Sequence, residues 1–362
     1  MAHLKNLPWE LIEEILSRVP PKSLVRFRTV SKQWNALFDD KTFINNHKMT
    51  FRFILATKSK IYSVSIDPVI VVRELPLGIP GLESLELNNL VDCNELLVCV
   101  KNNGAVVWNP WLGQSRWIQP SLNHSPMVFD GIVYDNKKYK MVAFSGLWKI
   151  YDFSSDVWID HKSKSTNSNT NVINVQTAVC LNGNLYWVCF REKTDPLCYH
   201  IHKFGFSNSI WVRFCNLPFG RNHDGDALVL GVFRGDRFSL LKQCMVTKKI
   251  EVFVTENKIN HENGDDVVWK NFMTFSSPNL PDLVETVKFS NPSYFIEGKR
   301  LVVCSRDNTG HAWIYILGDS KLISKTRIEC VVDPWPLHCT FVPSLVPVPA
   351  PCRREEQAEL QV

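Results

Sequence analysis

The pattern of apolar and polar positions changes near residue 48, and the two parts of the chain predict different architectures. In the first part apolar side chains recur at steps of three and four, the spacing of one helix face. Leu11, Ile12, Ile15, Leu16 and Val19 make one such stripe. Pro8 suits the first helical position, where its missing N–H costs nothing, and Glu10, Glu13 and Glu14 lie near the positive end of the helix dipole. Pro20-Pro21 removes the donors that would continue it. Lys22 to Thr29 predicts a second helix, with Leu24 and Phe27 one turn apart. Val30, Trp34 and Leu37 share a face of a third, and Asp39-Asp40 turns the chain into a last anchor, Phe43-Ile44. So short a stretch cannot enclose this many large side chains, so some of them need a partner.

After His47 the helical rhythm stops. Short runs rich in Val, Ile, Phe, Tyr and Trp take over, among them Phe51 to Ala56, Leu96 to Val100, Leu185 to Phe190, Ala227 to Phe233 and Leu301 to Cys304, each bounded by Gly, Asn, Asp or Pro. The turns between them, such as Asn102-Asn103-Gly104, Asn182-Gly183-Asn184, Arg234-Gly235-Asp236 and Glu297-Gly298-Lys299, offer residues tolerant of positive φ and predict antiparallel hairpins.

A longer repeat is superposed. Val107-Trp108-Asn109-Pro110 is followed by Trp117-Ile118, Ile150-Tyr151-Asp152 by Val157-Trp158-Ile159, Phe204-Gly205-Phe206 by Ile210-Trp211-Val212, and Glu251-Val252-Phe253 by Val268-Trp269-Lys270; a fifth copy begins at Trp313-Ile314-Tyr315 without its second Trp. The copies recur at about forty to sixty residues, near the spacing of propeller blades. A β-sandwich or two stacked barrels are the alternatives, but roughly 295 residues at about 45 per blade gives six or seven blades, too much chain for one sandwich. The expected fold is therefore multidomain, a small helical unit and an all-β propeller of irregular blades.

Composition narrows the class of function. The 362 residues are 45% hydrophobic and 21% charged with a net charge of +5, ordinary for a globular protein and too mild for a dedicated nucleic-acid binder. No apolar run approaches the length of a membrane span, and no signal-peptide succession opens the chain. Eleven cysteines without a Cys-x-x-Cys pair read as reduced thiols inside strands, which places the expected location in the nucleus or cytoplasm.

Two resemblances rest on these residues. Leu7-Pro8, Glu10-Leu11-Ile12, Glu14-Ile15-Leu16, the break Val19 to Leu24, Arg26 to Lys32 and Trp34 together resemble an F-box, with Ser31 where many members carry Cys. The resemblance implies docking on a Skp-type adaptor and, through it, on a cullin and RING subunit. By family position Leu7, Pro8, Ile12, Ile15, Leu16, Pro20, Leu24, Val30 and Trp34 would meet that adaptor or the unit's own small core. The blocks Leu90 to Gln119, Ile150 to Trp158, Cys180 to Val188, Asn216 to Phe219 and Lys249 to Lys258 are similar to the type-one F-box-associated domain of plants, which implies a kelch-like β fold that holds a target protein. Residues 51–89 and the end after 320 match it less clearly. The implied organisation is an F-box over 1–48, the β domain over 49–342 and a disordered, Pro-rich and then charged tail over 343–362.

Little in the chain points to chemistry of its own. His200 and His202 share a strand face and His223-Asp224-Gly225-Asp226 crowds ligand-type side chains, yet no further ligand stands at a metal-site spacing, and Asp224 and Asp226 are expected to shape the turn. No Gly-x-Ser-x-Gly, phosphate loop or His-Glu-x-x-His occurs. No cofactor, metal, nucleic acid or membrane is expected, and the chain reads as a non-catalytic adaptor; a propeller that binds a small molecule or glycan, or a regulator that docks without a target, are the rivals. The repeat tryptophans are expected to pack between blades with their N–H groups on turn carbonyls. Residues 162–171 and 257–266, polar and poor in apolar side chains, are expected as mobile loops.

Overall fold

The computed structural model describes residues 7–76, 82, 87–93, 95–120, 127–135, 138–144, 148–160, 172–174, 178–191, 199–205, 210–223, 225–283, 291–329 and 336–350. Helices α1 (Trp9–Leu16), α2 (Pro21–Phe27), α3 (Lys32–Asp39) and α4 (Lys41–Asn46) come first. Pro8 stands one position earlier than expected, as the cap, and its carbonyl accepts from the Leu11 and Ile12 N–H groups at 3.1 and 3.2 Å. Helix α1 ends before the prolines, and Pro21 instead opens α2. Ser31 Oγ accepts from the Trp34 N–H at 3.1 Å, and Asp40 Oδ1 from the Thr42 N–H at 2.6 Å, so α3 and α4 each begin on a side-chain cap.

The rest is antiparallel sheet. Strands β1 (Phe53–Ala56), β2 (Ile61–Ser65) and β3 (Val71–Leu75) open the first blade. β4 (Asn89–Cys93), β5 (Leu96–Lys101), β6 (Gly104–Asn109) and β7 (Gln114–Ile118) form the second. β8 (Val128–Asp135), β9 (Lys138–Phe144), β10 (Trp148–Asp152) and β11 (Val157–Asp160) form the third. In the fourth, β12 (Val172–Asn174) and β13 (Val179–Leu181) share the partner β14 (Asn184–Arg191), followed by β15 (Tyr199–Gly205) and β16 (Ile210–Asn216). β17 (Ala227–Phe233), β18 (Arg237–Gln243), β19 (Ile250–Thr255) and β20 (Trp269–Phe275) make the fifth. β21 (Ser293–Glu297), β22 (Arg300–Arg306), β23 (Ala312–Gly318) and β24 (Lys321–Arg327) make the sixth. The last strand, β25 (Leu337–Thr340), returns to the first blade and pairs with β1 from Phe53↔Thr340 to Ala56↔Leu337.

The innermost strands β25, β4, β8, β13, β17 and β21 touch in turn round a closed ring, so the domain is a six-bladed propeller. Each of its six interfaces has its own apolar core. Period-two alternation divides each strand between two of them: in β5, Leu97 and Cys99 face the first blade while Val98 and Val100 face the third. The aromatic repeat is the outer hairpin of successive blades, with Tyr151 opposite Trp158 and Phe204 opposite Trp211. The tight turns carry positive φ as expected, +72° at Gly183 and +79° at Gly235.

Two expectations are corrected. Residues 343–350, assigned to a disordered tail, are packed against the second blade. Asn109 Nδ2 donates to the Ser344 and Val346 carbonyls at 3.0 and 2.7 Å, the Val348 N–H donates to Gln114 Oε1, Arg116 donates to the Pro349 carbonyl, and Leu345 is buried. Alternating prolines hold this segment extended, which is the shape of a strap as well as of a free tail. Residues 351–362 lie outside the described residues. The stretch 257–266 is exposed yet pinned: buried Ile259 donates its N–H to the Asp236 carbonyl at 2.9 Å and accepts from Asn182 Nδ2 at 3.3 Å. Residues 162–171 lie outside the described residues.

The tryptophans pack between blades, but their N–H groups divide. Those of Trp158 and Trp313 donate to the Gln119 carbonyl and to Asp307 Oδ2, both at 2.8 Å. Those of Trp108, Trp187, Trp211 and Trp269 are buried with no acceptor among the described residues; the first two indoles are wholly buried and the other two partly, each packed against an apolar cluster.

Candidate functional site

The helices seat on one face of the propeller. β25 ends and β1 begins there; the innermost strands run alike, so the first turn of every blade lies on this same face and the blade-to-blade connections lie on the other, the open face. The seat is a continuous core. Leu16, Leu24, Leu37, Phe38, Phe43 and Ile44 from the helices share one cluster with Ile54, Leu97, Trp108, Trp111, Phe341 and Leu345 from the β domain. Phe341 stacks on Phe51 with centroids 5.1 Å apart. A run of rings, Phe27, Trp34, Phe38, Phe43 and His47, leads from α2 to Trp111 in the second blade, and the Trp111 N–H donates to the Met49 carbonyl at 3.2 Å.

This seat sorts the predicted contact residues. Leu7, Pro8, Ile15, Pro20 and Val30 are exposed, Ile12 and Trp34 are half-buried against the core, and Leu16 and Leu24 are buried at 2% and 0% exposure. Leu16 and Leu24 therefore belong to the seat, not to the outer face. Helix α1 carries two stripes that sequence spacing merged into one: Ile12 and Leu16 point to the propeller, while Leu11 and Ile15, four apart, are 51% and 53% exposed. Leu11 is an outer-face residue missed among the site candidates, although its step of four to Ile15 was visible. Leu7 and Val30 are also more than half exposed, and no part of the described chain covers any of these four side chains.

Matches to known families agree with this division. An F-box domain matches residues 4–46 and an F-box associated beta propeller domain matches residues 52–348. The chain belongs to the F-box family with an associated β-propeller. Among its relatives in Arabidopsis thaliana, F-box/kelch-repeat protein At3g16580 is 60% identical, over 99% of this chain and 97% of that protein. Putative F-box protein At1g47390 is 53% identical over the full length of both, and Protein SUPPRESSOR OF NIM1 1 is 42% identical over 95% of this chain and 98% of its own. Solved structures are far more distant; apo AztD from Citrobacter koseri matches 80% of this chain and 88% of its own at 10% identity and a TM-score of 0.40.

The junction of this F-box protein is built on a neutral histidine. His47 Nδ1 accepts from the Met49 N–H at 3.1 Å, which leaves Nε2 to donate to the Val19 carbonyl at 2.9 Å. Burial lowers its pKa below the usual 6.5, against the opposing pull of its backbone bonds. In the closing strand, His338 Nδ1 lies 2.8 Å from Ser293 Oγ, and burial, helped by Arg306, pushes its pKa down to about 4. Both folded pKa values lie below the unfolded one, so the stability they contribute is complete above pH 6.5 and is lost as pH falls, for His338 over the window from 6.5 to about 4. Thermal melts should accordingly be flat from pH 8 to 7 and fall across that window, with a shallower fall in His338→Asn; an equal slope in the variant would remove His338 from the account.

No group of three or more His, Cys, Asp or Glu side chains is placed to hold a metal among the described residues. The rings of His200 and His202 lie 4.6 Å apart on β15. Asp226 shapes its turn as expected, accepting from the Asn222, His223 and Met245 N–H groups. Asp224 lies outside the described residues.

Proposed function

We propose that this F-box protein is the substrate-recognition subunit of an SCF-type E3 ubiquitin ligase, working in the nucleus or cytoplasm. Leu7, Leu11, Ile15 and Val30 dock on a Skp-type adaptor, which brings the cullin and RING subunit, and the open face of the propeller holds a target protein for ubiquitination and degradation. The observation that carries this reading is the division of the F-box into two apolar sides, one committed to the propeller and one left exposed. A helical unit needed only as a cap would have no use for the second side. The chain does no chemistry in this scheme; it turns a dilute encounter between target lysine and charged conjugating enzyme into an intramolecular one.

Direct titration with purified Skp-type adaptor tests it. Each apolar side chain buried at the interface is worth about 1.5–3 kcal/mol, so the combined variant Leu11→Ala, Ile15→Ala, Val30→Ala should bind about a hundredfold more weakly or worse while melting like the parent. Unchanged affinity in a folded variant would refute the docking face, and co-purification of a ubiquitinated target with the wild type is the expected result for the propeller.

A further inference from the structure

The strap lies in a groove whose donors are aimed without it. Residues 343–350 follow the closing strand, so their release would leave every strand pairing in place. Side chains of blade two meet the strap's backbone. Asn109 Nδ2 donates to the Ser344 and Val346 carbonyls, Gln114 Oε1 accepts from the Val348 N–H at 3.1 Å, and Arg116 Nη1 donates to the Pro349 carbonyl at 2.9 Å. Bonds within the propeller fix both donors. Asn109 Oδ1 accepts from the Trp111 and Leu112 N–H groups at 3.0 and 3.1 Å, which turns the amide nitrogen toward the strap. Arg116 donates to the Tyr151 hydroxyl at 3.0 Å and to Asp156 Oδ1 at 2.7 Å, and its guanidinium lies over the Tyr151 and Phe153 rings, 5.7 and 5.3 Å from their centroids. Such preorganised donors cost little to engage.

The groove suits an extended, proline-bearing chain. Its contacts go to peptide groups along the backbone, and at positions 347 and 349, where proline has no N–H to offer, no acceptor is needed. Leu345 is buried as the apolar anchor, and Val348 packs on the core between blades two and three, to which Tyr151 and Phe153 belong. Aromatic-lined grooves are a general means of holding polyproline-type segments. The occupant is looser at one end: Ser344 and Leu345 are buried, whereas Val346, Val348 and Pro349 are half-buried and Pro347 and Ala350 exposed.

We propose that this groove docks an extended proline-rich segment of a partner protein, of the form Leu-x-Pro-apolar-Pro, and that the strap is its occupant in cis. A staple needs only contacts that form along with it. Donors fixed beforehand, reading carbonyls that any extended chain carries, fit a site that exchanges one such segment for another. Exchange starts at the exposed end, and the strap competes as a tethered ligand, so the partner binds more tightly once the strap is loosened.

The test uses the full chain and a fluorescein-labelled peptide with the sequence of residues 343–350, followed by anisotropy; a second peptide carries alanine at the three prolines. A full chain with Pro347→Gly and Pro349→Gly keeps the groove and loosens the strap, because glycine enlarges the freedom that the strap gives up on seating. It should bind the proline peptide about tenfold more tightly than the wild type does, and the alanine peptide should bind either chain about tenfold more weakly. A photoreactive group at the peptide's counterpart of Val348 should label blades two and three. The peptide pair on the wild type needs no variant to fold. No saturable binding to the loosened chain up to about 1 mM, equal binding of the two peptides, equal affinity of the two chains, or labelling elsewhere each overturns the proposal and leaves the strap a permanent staple.

Discussion

A chain ending at Val342 should be less stable than the full chain by about 3–5 kcal/mol. Removing residues 343–350 exposes the pocket of Leu345, whose burial is worth about 1.5–3 kcal/mol. It also strands Asn109. That amide is fully buried; its Oδ1 caps the turn by accepting from the Trp111 and Leu112 N–H groups, and its Nδ2 would lose both carbonyl acceptors, Ser344 and Val346. A buried donor left without a partner costs about 1–3 kcal/mol. Arg116, which donates to the Pro349 carbonyl and to Asp156, keeps the second of these and adds little to the loss. Against a total stability of about 5–15 kcal/mol this is a large fraction, so chemical denaturation should show an earlier midpoint with an unchanged slope. A chain ending at Ala350 keeps every one of these contacts and is the matched control. Equal midpoints for the two truncations would mean that the strap is an ornament on the second blade.

The strap also shows where sequence reasoning stops. Local pattern determines local structure, and it was legible: the Asp39-Asp40 turn, the turn glycines, and the outer hairpins with their paired aromatics all stand where spacing put them. What was not legible depends on contacts between distant parts of the chain. Leu337 to Thr340 is a four-residue strand interrupted by His338, too short and too polar to announce itself, yet it closes the ring against β1 nearly three hundred positions earlier. Pro343 to Pro351 has the composition of a tail, and only contacts with Asn109, Gln114 and Arg116, some 235 residues away, make 343–350 a strap. The same limit split the docking residues: Leu16 and Leu24 sit in an apolar pattern indistinguishable from that of Leu11 and Ile15 until the propeller occupies one side. The blade number, six or seven by length, was fixed by that same closing strand, which completes a first blade that had only three strands in sequence.

The sharpest contrast is therefore between Leu24→Ala and Leu11→Ala. Leu24 has no exposed surface and lies in a core continuous with Trp111, Phe341 and Leu345. Its truncation leaves a cavity that its surroundings cannot collapse into, because Phe38, Phe43, His47 and Trp111 hold one another in a chain of ring contacts from the helices to the propeller. The cost should be about 2–5 kcal/mol, the range for buried leucines. Since the core is shared, the loss should be seen by the β domain as well: hydrogen exchange should speed up in β6 together with α2, not in the helices alone. Leu11, half exposed at the opposite side of α1, should cost less than about 0.5 kcal/mol of stability and instead weaken adaptor binding. The two readouts thus exchange places between two leucines of one short helical unit. Were Leu24→Ala to melt like the parent yet fail to bind the adaptor, the inward and outward sides would have to be reassigned, and the F-box would have to leave its seat on the propeller in order to dock.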